Sequence, residues 1–336
     1  MNNIFGKGYR FIKWELHKLF TRRLNPAPVF GRVFRKPLTV YSSRWLKYTM
    51  EKYPQSSDEI FMQEGILPVA DHYYQPLINP KKHLTKSLRD DRGLPALDLN
   101  VAEQLSLLGT FHYNEELLKF PLHKKEERRY YYENGWYTAG DAEFLYNMIR
   151  HYKPHRIIEI GSGYSTLMAV AALQQNNAED GSIAEHFCIE PHEQPWLEQT
   201  GVTVIRKQVE TLDQSFFLQL EANDILFIDS SHMIRPQGDV LFEYLEILPI
   251  LKAGVIVHVH DIFTPKDYPE EWIYQKHLLW NEQYLLEAFL SFNSAFRVIG
   301  SLNYLAHHHK QALDDKCPVF ATQAGKEPGA FWFIKN

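Results

Sequence analysis

An α/β fold built on a mainly parallel sheet is the class this sequence predicts, and three observations predict it. From residue 156 onward, short apolar runs alternate with stretches of helical periodicity, the pattern of strands joined by crossover helices. The first run feeds into Glu159-Ile-Gly161-Ser-Gly163-Tyr-Ser165, read as a strand end, a glycine-rich turn and the start of a helix. Later runs end on Glu190, Asp229 and the pair His260-Asp261, placing polar groups where open α/β sheets bind ligands.

The elements follow in order. Residues 1–55 form a basic arm: positions 1–50 carry eleven Lys and Arg against Glu15 alone, although the whole chain has a net charge of -5. Within its first twenty residues, Phe5, Tyr9, Ile12, Leu16 and Leu19 recur at helical spacing opposite Lys7, Arg10, His17 and Lys18. Such a helix can lie on an anionic membrane surface, on the acidic body of its own protein or on a sister subunit. Residues 56–135, an accessory segment with Asn79-Pro80, Arg92-Gly93-Leu94-Pro95 and Phe120-Pro121 as turn signals, contain a helical pattern over 101–118. Lys124 to Arg129 reads as a solvated linker, and the third region spans 136–336. There, Thr138 with Asp141 resembles a capping box opening a helix over 139–152. Strands are predicted at 156–160, 186–189, 202–205, 224–228, 254–259, 297–299 and 330–334, with helices at 165–173, 240–251 and 282–292.

Bulk properties narrow the function classes. A 45% hydrophobic, 23% charged chain is that of a folded protein, and no apolar run reaches the roughly 18 residues of a membrane span. Two distant cysteines, Cys188 and Cys317, imply neither a disulfide framework nor a cysteine zinc site, so a reducing, cytoplasmic location is expected. Peripheral contact with the inner membrane face would run through residues 1–50. No nucleic-acid module is recognisable.

At the turn, Gly161 and Gly163 permit a tight bend and close approach to a ligand. The dinucleotide fingerprint needs a third glycine, and position 166 is Thr. A carboxylate two residues before the first glycine, without that third glycine, resembles motif I of class I S-adenosylmethionine-dependent methyltransferases. The resemblance implies a Rossmann-like seven-stranded methyltransferase sheet with helices on both faces, its last strand antiparallel, preceded by a mostly helical N-terminal segment. It also implies that Glu159, Gly161, Ser162, Gly163, Tyr164 and Ser165 cradle S-adenosylmethionine. Glu190, ending the second strand, can accept hydrogen bonds from ribose hydroxyls.

The fourth strand ends Asp229-Ser-Ser-His232 and the fifth His258-Val-His260-Asp261. Methyl transfer from a sulfonium is an in-line displacement, so the acceptor must be positioned and deprotonated; His232, titrating near neutrality, suits the base. Asp229 can steady the sulfonium region, orient His232 or hold a cation. The stretch from Asp224 to Trp272 and the segment from Trp280 resemble a bacterial group of class I methyltransferases, similar at these strand ends to macrocin-type sugar O-methyltransferases. The segments starting at His72, Leu94 and Glu116 resemble the N-terminal part of that group.

That resemblance implies O-methylation of a carbohydrate or glycosylated acceptor, with Asp229 and Asp261 binding magnesium and His232 as base. It breaks at His260, where the group has a carboxylate; Mg²⁺ prefers oxygen, so the change weakens magnesium or favours Mn²⁺ or Zn²⁺. His258 and His260 share one face of their strand, and His258 reads as a satisfied core histidine. His307-His308-His309 reads as a solvated loop without carboxylate partners, while His72, Tyr73 and Tyr74 and the aromatic cluster at 130–137 offer acceptor-stacking rings. A nicotinamide-dependent oxidoreductase and a non-catalytic scaffold binding glycan or membrane are the alternatives, and homo-oligomerisation through the arm is a further expectation.

Overall fold

The computed structural model describes residues 28–126, 129–192 and 194–336. The amphipathic pattern expected in the first twenty residues lies outside them. The chain divides into two compact units, Met1–Asn79 and Pro80–Asn336. In the first, α1 (Pro28–Lys52) is followed by α2 (Pro54–Gln63), which starts on a proline whose fixed φ suits a first helical turn. No helix is long and apolar enough to cross a membrane among the described residues.

The second unit holds the sheet. Its strands β1 (Arg156–Ile160), β2 (Glu185–Ile189), β3 (Thr203–Ile205), β4 (Ile225–Ile228), β5 (Ile256–Val259), β6 (Phe296–Ser301) and β7 (Phe331–Lys335) run in the order β3-β2-β1-β4-β5-β7-β6. β1 to β5 pair in parallel, and β7 enters antiparallel to both β5 and β6. The seven strands and the reversed last strand are those implied by the sequence resemblance.

Period-two alternation sends successive strand residues to opposite layers. Ile157, Ile225, Phe227, Ile256 and Trp332 face one core with α3 (Val101–Thr110), α4 (Asp141–Tyr152) and α5 (Tyr164–Asp180). Ile158, Ile160, Leu226, Ile228, Val257 and Phe333 face the other, with the helical stretch 239–250, here α6, and α7 (Glu282–Leu290). α6 contains a π turn at Glu243–Ile247.

Three expectations are corrected here. The boundary near 135 falls inside a compact unit, because Leu107, Leu108, Phe111, Leu117, Tyr130 and Tyr132 belong to the same core as β1 and α4. The helix expected over 101–118 breaks into Val101–Thr110 and a turn at Asn114–Leu117. And Thr138 with Asp141 is no capping box. Gly140 caps α4 and donates its N–H to Glu143 at 3.1 Å. Asp141 instead accepts from the backbone N–H groups of Gly329 (3.1 Å) and Ala330 (2.8 Å), tying α4 to the entry of β7.

Candidate active site

A crevice of about 590 Å³ opens at the carboxyl ends of β1, β2, β4 and β5. Gly161, Ser162, Gly163, Tyr164, Ser165, Glu190, Asp229, His232, His260 and Asp261 all line it, so residues predicted from separate segments converge on one cavity. Glu159 does not line it, and His72, Tyr73 and Tyr74 lie in the first unit, where the two tyrosines stand exposed against one another.

The two glycines serve different ends. Gly161 has φ +74°, and a Cβ there would sit 1.8 Å from the Asp229 carbonyl oxygen, so the backbone of β4 forbids any side chain. At Gly163 a Cβ would meet nothing within 4 Å. Thr166, where a dinucleotide motif has glycine, accepts from the Gly163 N–H at 3.1 Å and donates its hydroxyl to Glu159 at 2.8 Å. It thereby closes the first turn of α5 and fixes the acid beneath it.

Glu159 is buried under the turn. It accepts from Ser165 Oγ (2.5 Å) and Thr166 Oγ1 and lies 2.9 Å from His186 Nε2. Its carboxylate thus shapes the cradle from below and is not presented to the crevice, unlike the role the motif implied. Burial lowers the His186 imidazole, but Cys188 and Glu159 outweigh it and push it up to about 10. Burial also raises the Cys188 thiol. Glu190 accepts from the Ser162 N–H (3.3 Å) and the His192 N–H (3.0 Å), spanning the turn and the end of β2.

The other end of the crevice is charged. His232 is buried at φ +60°, its ring tilted on Trp280 with centroids 4.4 Å apart. Its Nδ1 lies 2.8 Å from Glu282 Oε2, and its Nε2 lies 3.3 Å from Asp229 and 3.6 Å from Asp261. Burial alone would lower this imidazole; hydrogen bonds to Asp229 and Glu282, with the charge of Asp261, hold it well above the ordinary histidine value. Asp229 is held low, His260 and His232 overcoming the upward push of burial. Asp261, in contrast, is raised by burial against the pull of the same histidines.

His260 presents Nδ1 to Asp229 and Asp261, 3.6 Å from each, while its Nε2 lies 3.4 Å from Asp141. Asp229, His260 and Asp261 offer ligand atoms all within 4.8 Å of one another. His258 is fully buried between Phe227 and Trp332, but neither ring nitrogen has a hydrogen-bond partner, and burial drives it neutral. It is a core residue, though not a satisfied one. The three consecutive histidines also depart from expectation: α8 (Leu302–His308) includes two of them, with His307 3.0 Å from Glu327 and His308 2.7 Å from Asp91.

Sequence reasoning missed Glu282, Asp141 and Trp280. Glu282 opens α7, is fully buried and also accepts from Tyr244 Oη at 3.1 Å. Only its place at the head of an apolar helix marked it, and that position is common for an exposed acid.

A parallel sheet with an inserted antiparallel strand, a glycine turn after β1 and an acid closing β2 define a class I methyltransferase. Residues 158–262 match a family model described as "Methyltransferase domain". It is also similar to an uncharacterized protein of Archaeoglobus fulgidus, 31% identical over 166 residues, covering 46% of this chain and 74% of that protein.

Proposed function

We propose that this protein transfers the methyl group of S-adenosylmethionine to a hydroxyl of a carbohydrate or glycosylated acceptor. The observation that carries this reading is His232, held between Glu282 and the acids of β4 and β5 inside the crevice that contains the glycine turn. The turn and Glu190 would receive the donor. Glu190 lines the crevice at the end of β2, where an acid can accept from ribose hydroxyls. Trp280 and the exposed Trp136, both lining the crevice, offer aromatic faces on which a sugar ring stacks.

Glu282 accepts the Nδ1 proton of His232 and so leaves Nε2, on the crevice side, as the acting nitrogen. In the reaction Nε2 takes the acceptor hydroxyl proton. An oxygen lone pair forms the new O–CH₃ bond while the S–CH₃ pair departs to sulfur, giving the methylated acceptor and S-adenosylhomocysteine. A base held protonated by three carboxylates must first release that proton. A sulfonium bound in this crevice would oppose the imidazolium and favour release of its proton to solvent. Magnesium, implied by the sequence resemblance, is matched poorly by a donor set with an imidazole in it, and no step is routed through a metal.

The test is methyl transfer from labelled donor into glycan, nucleotide-sugar and lipid-linked acceptors, with S-adenosylhomocysteine and NAD titrated calorimetrically. Incorporation into a sugar hydroxyl, lost in His232→Ala, is expected; preferential binding of NAD would discard the reading.

A further inference from the structure

A second cavity, of about 700 Å³, lies in the same compact unit as the crevice and is larger than it. Its walls are α5, the stretches 116–126 and 129–130, and the turn at 199–200. We propose that it binds an anionic saccharide, a sugar unit carrying a carboxylate or a phosphate, beside the crevice. Its volume falls within the roughly 300–1,000 Å³ of small-molecule sites.

Three features of its lining select that ligand. The floor offers rings rather than hydroxyls: Tyr130 Oη donates to the Tyr137 carbonyl (2.8 Å) and Tyr146 Oη to Glu116 (2.6 Å). Phe120 meets those two tyrosine rings edge-on, with centroids 5.9 and 5.5 Å apart. The apolar C–H face of a sugar packs on such a surface. The wall on α5 changes character along one helical face, where Leu167, Val170 and Ala171 give way to Gln174 and Gln175. Neither glutamine side chain has a hydrogen-bond partner among the described residues. A free amide offers a donor and an acceptor to neighbouring sugar hydroxyls.

Charge supplies the third feature. Lys125, Glu126 and Arg129, read from the sequence as part of a solvated linker, line this cavity. Its acids are already neutralised, Glu116 by Arg150 and Glu126 by Arg129, each at 2.9 Å. Lys119 and Lys125 are exposed and enter no ion pair among the described residues. Two ammonium groups thus stand unopposed here, in a chain whose net charge is -5. A neutral sugar would leave both unused.

α5 serves the two cavities at once: Tyr164 and Ser165 line the crevice, Leu167 and Val170 the second cavity. Tyr164 and Val170 are about 9 Å apart along the helix axis. Tyr131, next to Tyr130 in the chain, places its Oη 3.2 Å from Tyr164 Oη. One acidic glycan can therefore offer a hydroxyl to the crevice and a charged unit to this cavity. That role in the acceptor rests on the methyl-transfer reading above; the binding itself does not.

The full-length protein is titrated with glucuronic acid, glucose 1-phosphate, glucose and inorganic phosphate, and binding is followed by ligand-observed NMR. The two charged sugars should bind at least roughly tenfold more tightly than glucose or phosphate, the scale of one added charge-assisted contact. Lys119→Gln combined with Lys125→Gln should remove that advantage. Gln174→Ala combined with Gln175→Ala should weaken both charged sugars severalfold. All four positions are exposed, so the melting temperature should stay at the wild-type value. Whichever charged sugar binds more tightly names the anion. No binding of either charged sugar, equal binding of glucose or of phosphate, or full affinity in the lysine double variant overturns the inference. Failure of wild type to bind S-adenosylhomocysteine would strike the methyl-transfer reading alone.

Discussion

The two ends of the crevice are built on opposite terms. Where β1 and β2 end, the polar groups are engaged from within: Glu159 by Ser165, Thr166 and His186, and Glu190 by two backbone N–H groups. Where β4 and β5 end, Asp229, His232, His260 and Asp261 face one another mostly at 3.3–3.6 Å, and two of them, His232 and Asp261, sit at positive φ. The first end is a finished main-chain cradle, suited to a bulky ligand of fixed shape. The second stores charge and backbone strain, as sites of chemistry do. In the proposed reaction, recognition and reactivity would fall to different neighbouring strand pairs.

The sharpest way to break this comparison is His232→Ala. Turnover should fall ~10³-fold, within the range of a lost general base, while S-adenosylhomocysteine affinity measured by calorimetry stays within a few-fold. Parallel losses of both would mean that the two ends are not separable. Next come the glycines. Gly161→Ala should cost about 2–4 kcal/mol of stability through the clash with the Asp229 carbonyl and the unfavourable φ, read as a lowered melting temperature. Gly163→Ala, with open space around its Cβ, should melt within ~0.5 kcal/mol of wild type and change only cofactor affinity.

Glu282→Gln should reduce turnover at least roughly tenfold and move the acid limb of the kcat/KM profile to lower pH. The sign follows from charge: Glu282 favours the imidazolium of His232, so its neutral isostere lowers that pKa. An acid limb moving upward would reject Glu282 as the orienting partner.

A further effect belongs to the cradle. His186 is raised above its ordinary value, so its stabilisation is complete below about pH 6.5 and is lost as pH rises toward about 10. Denaturant melts of wild type should weaken by about 1–2 kcal/mol across that window, and His186→Gln should flatten the trend. An equally steep trend in the variant would place the titrating group elsewhere.

Much of this was legible because it is local. The strand cores at 157–158 and 225–228 announce themselves by consecutive apolar residues, and the turn after β1 by its glycines. Asp229, His232 and Asp261 could be singled out because strand ends define where a crevice must be. What escaped depends on distance along the chain. Glu282 meets His232 from fifty residues away, and Asp141 meets His260 and β7 across more than a hundred, so no periodicity links them. Glu159 was found for its spacing yet faces inward, because alternation along β1 points it toward Cys188 and His186. Thr138 and Asp141 carried the right residue types for a cap, but the N–H groups of Gly329 and Ala330 took up the Asp141 carboxylate first.

The reversed strand β7 has one more implication, for the order in which the protein comes together. Gly329, just ahead of it, accepts from the Ile262 N–H at 2.8 Å, and β7 itself zips along β5 from Val259 to Ile256. Until that late segment has been synthesised and threaded between its neighbours, β5 has a bare flank and the loop bearing His260 and Asp261 has no support on that side. A nascent chain emerging from the ribosome can therefore complete its cradle before β7 appears, whereas the segment bearing His260 and Asp261 is braced only after it.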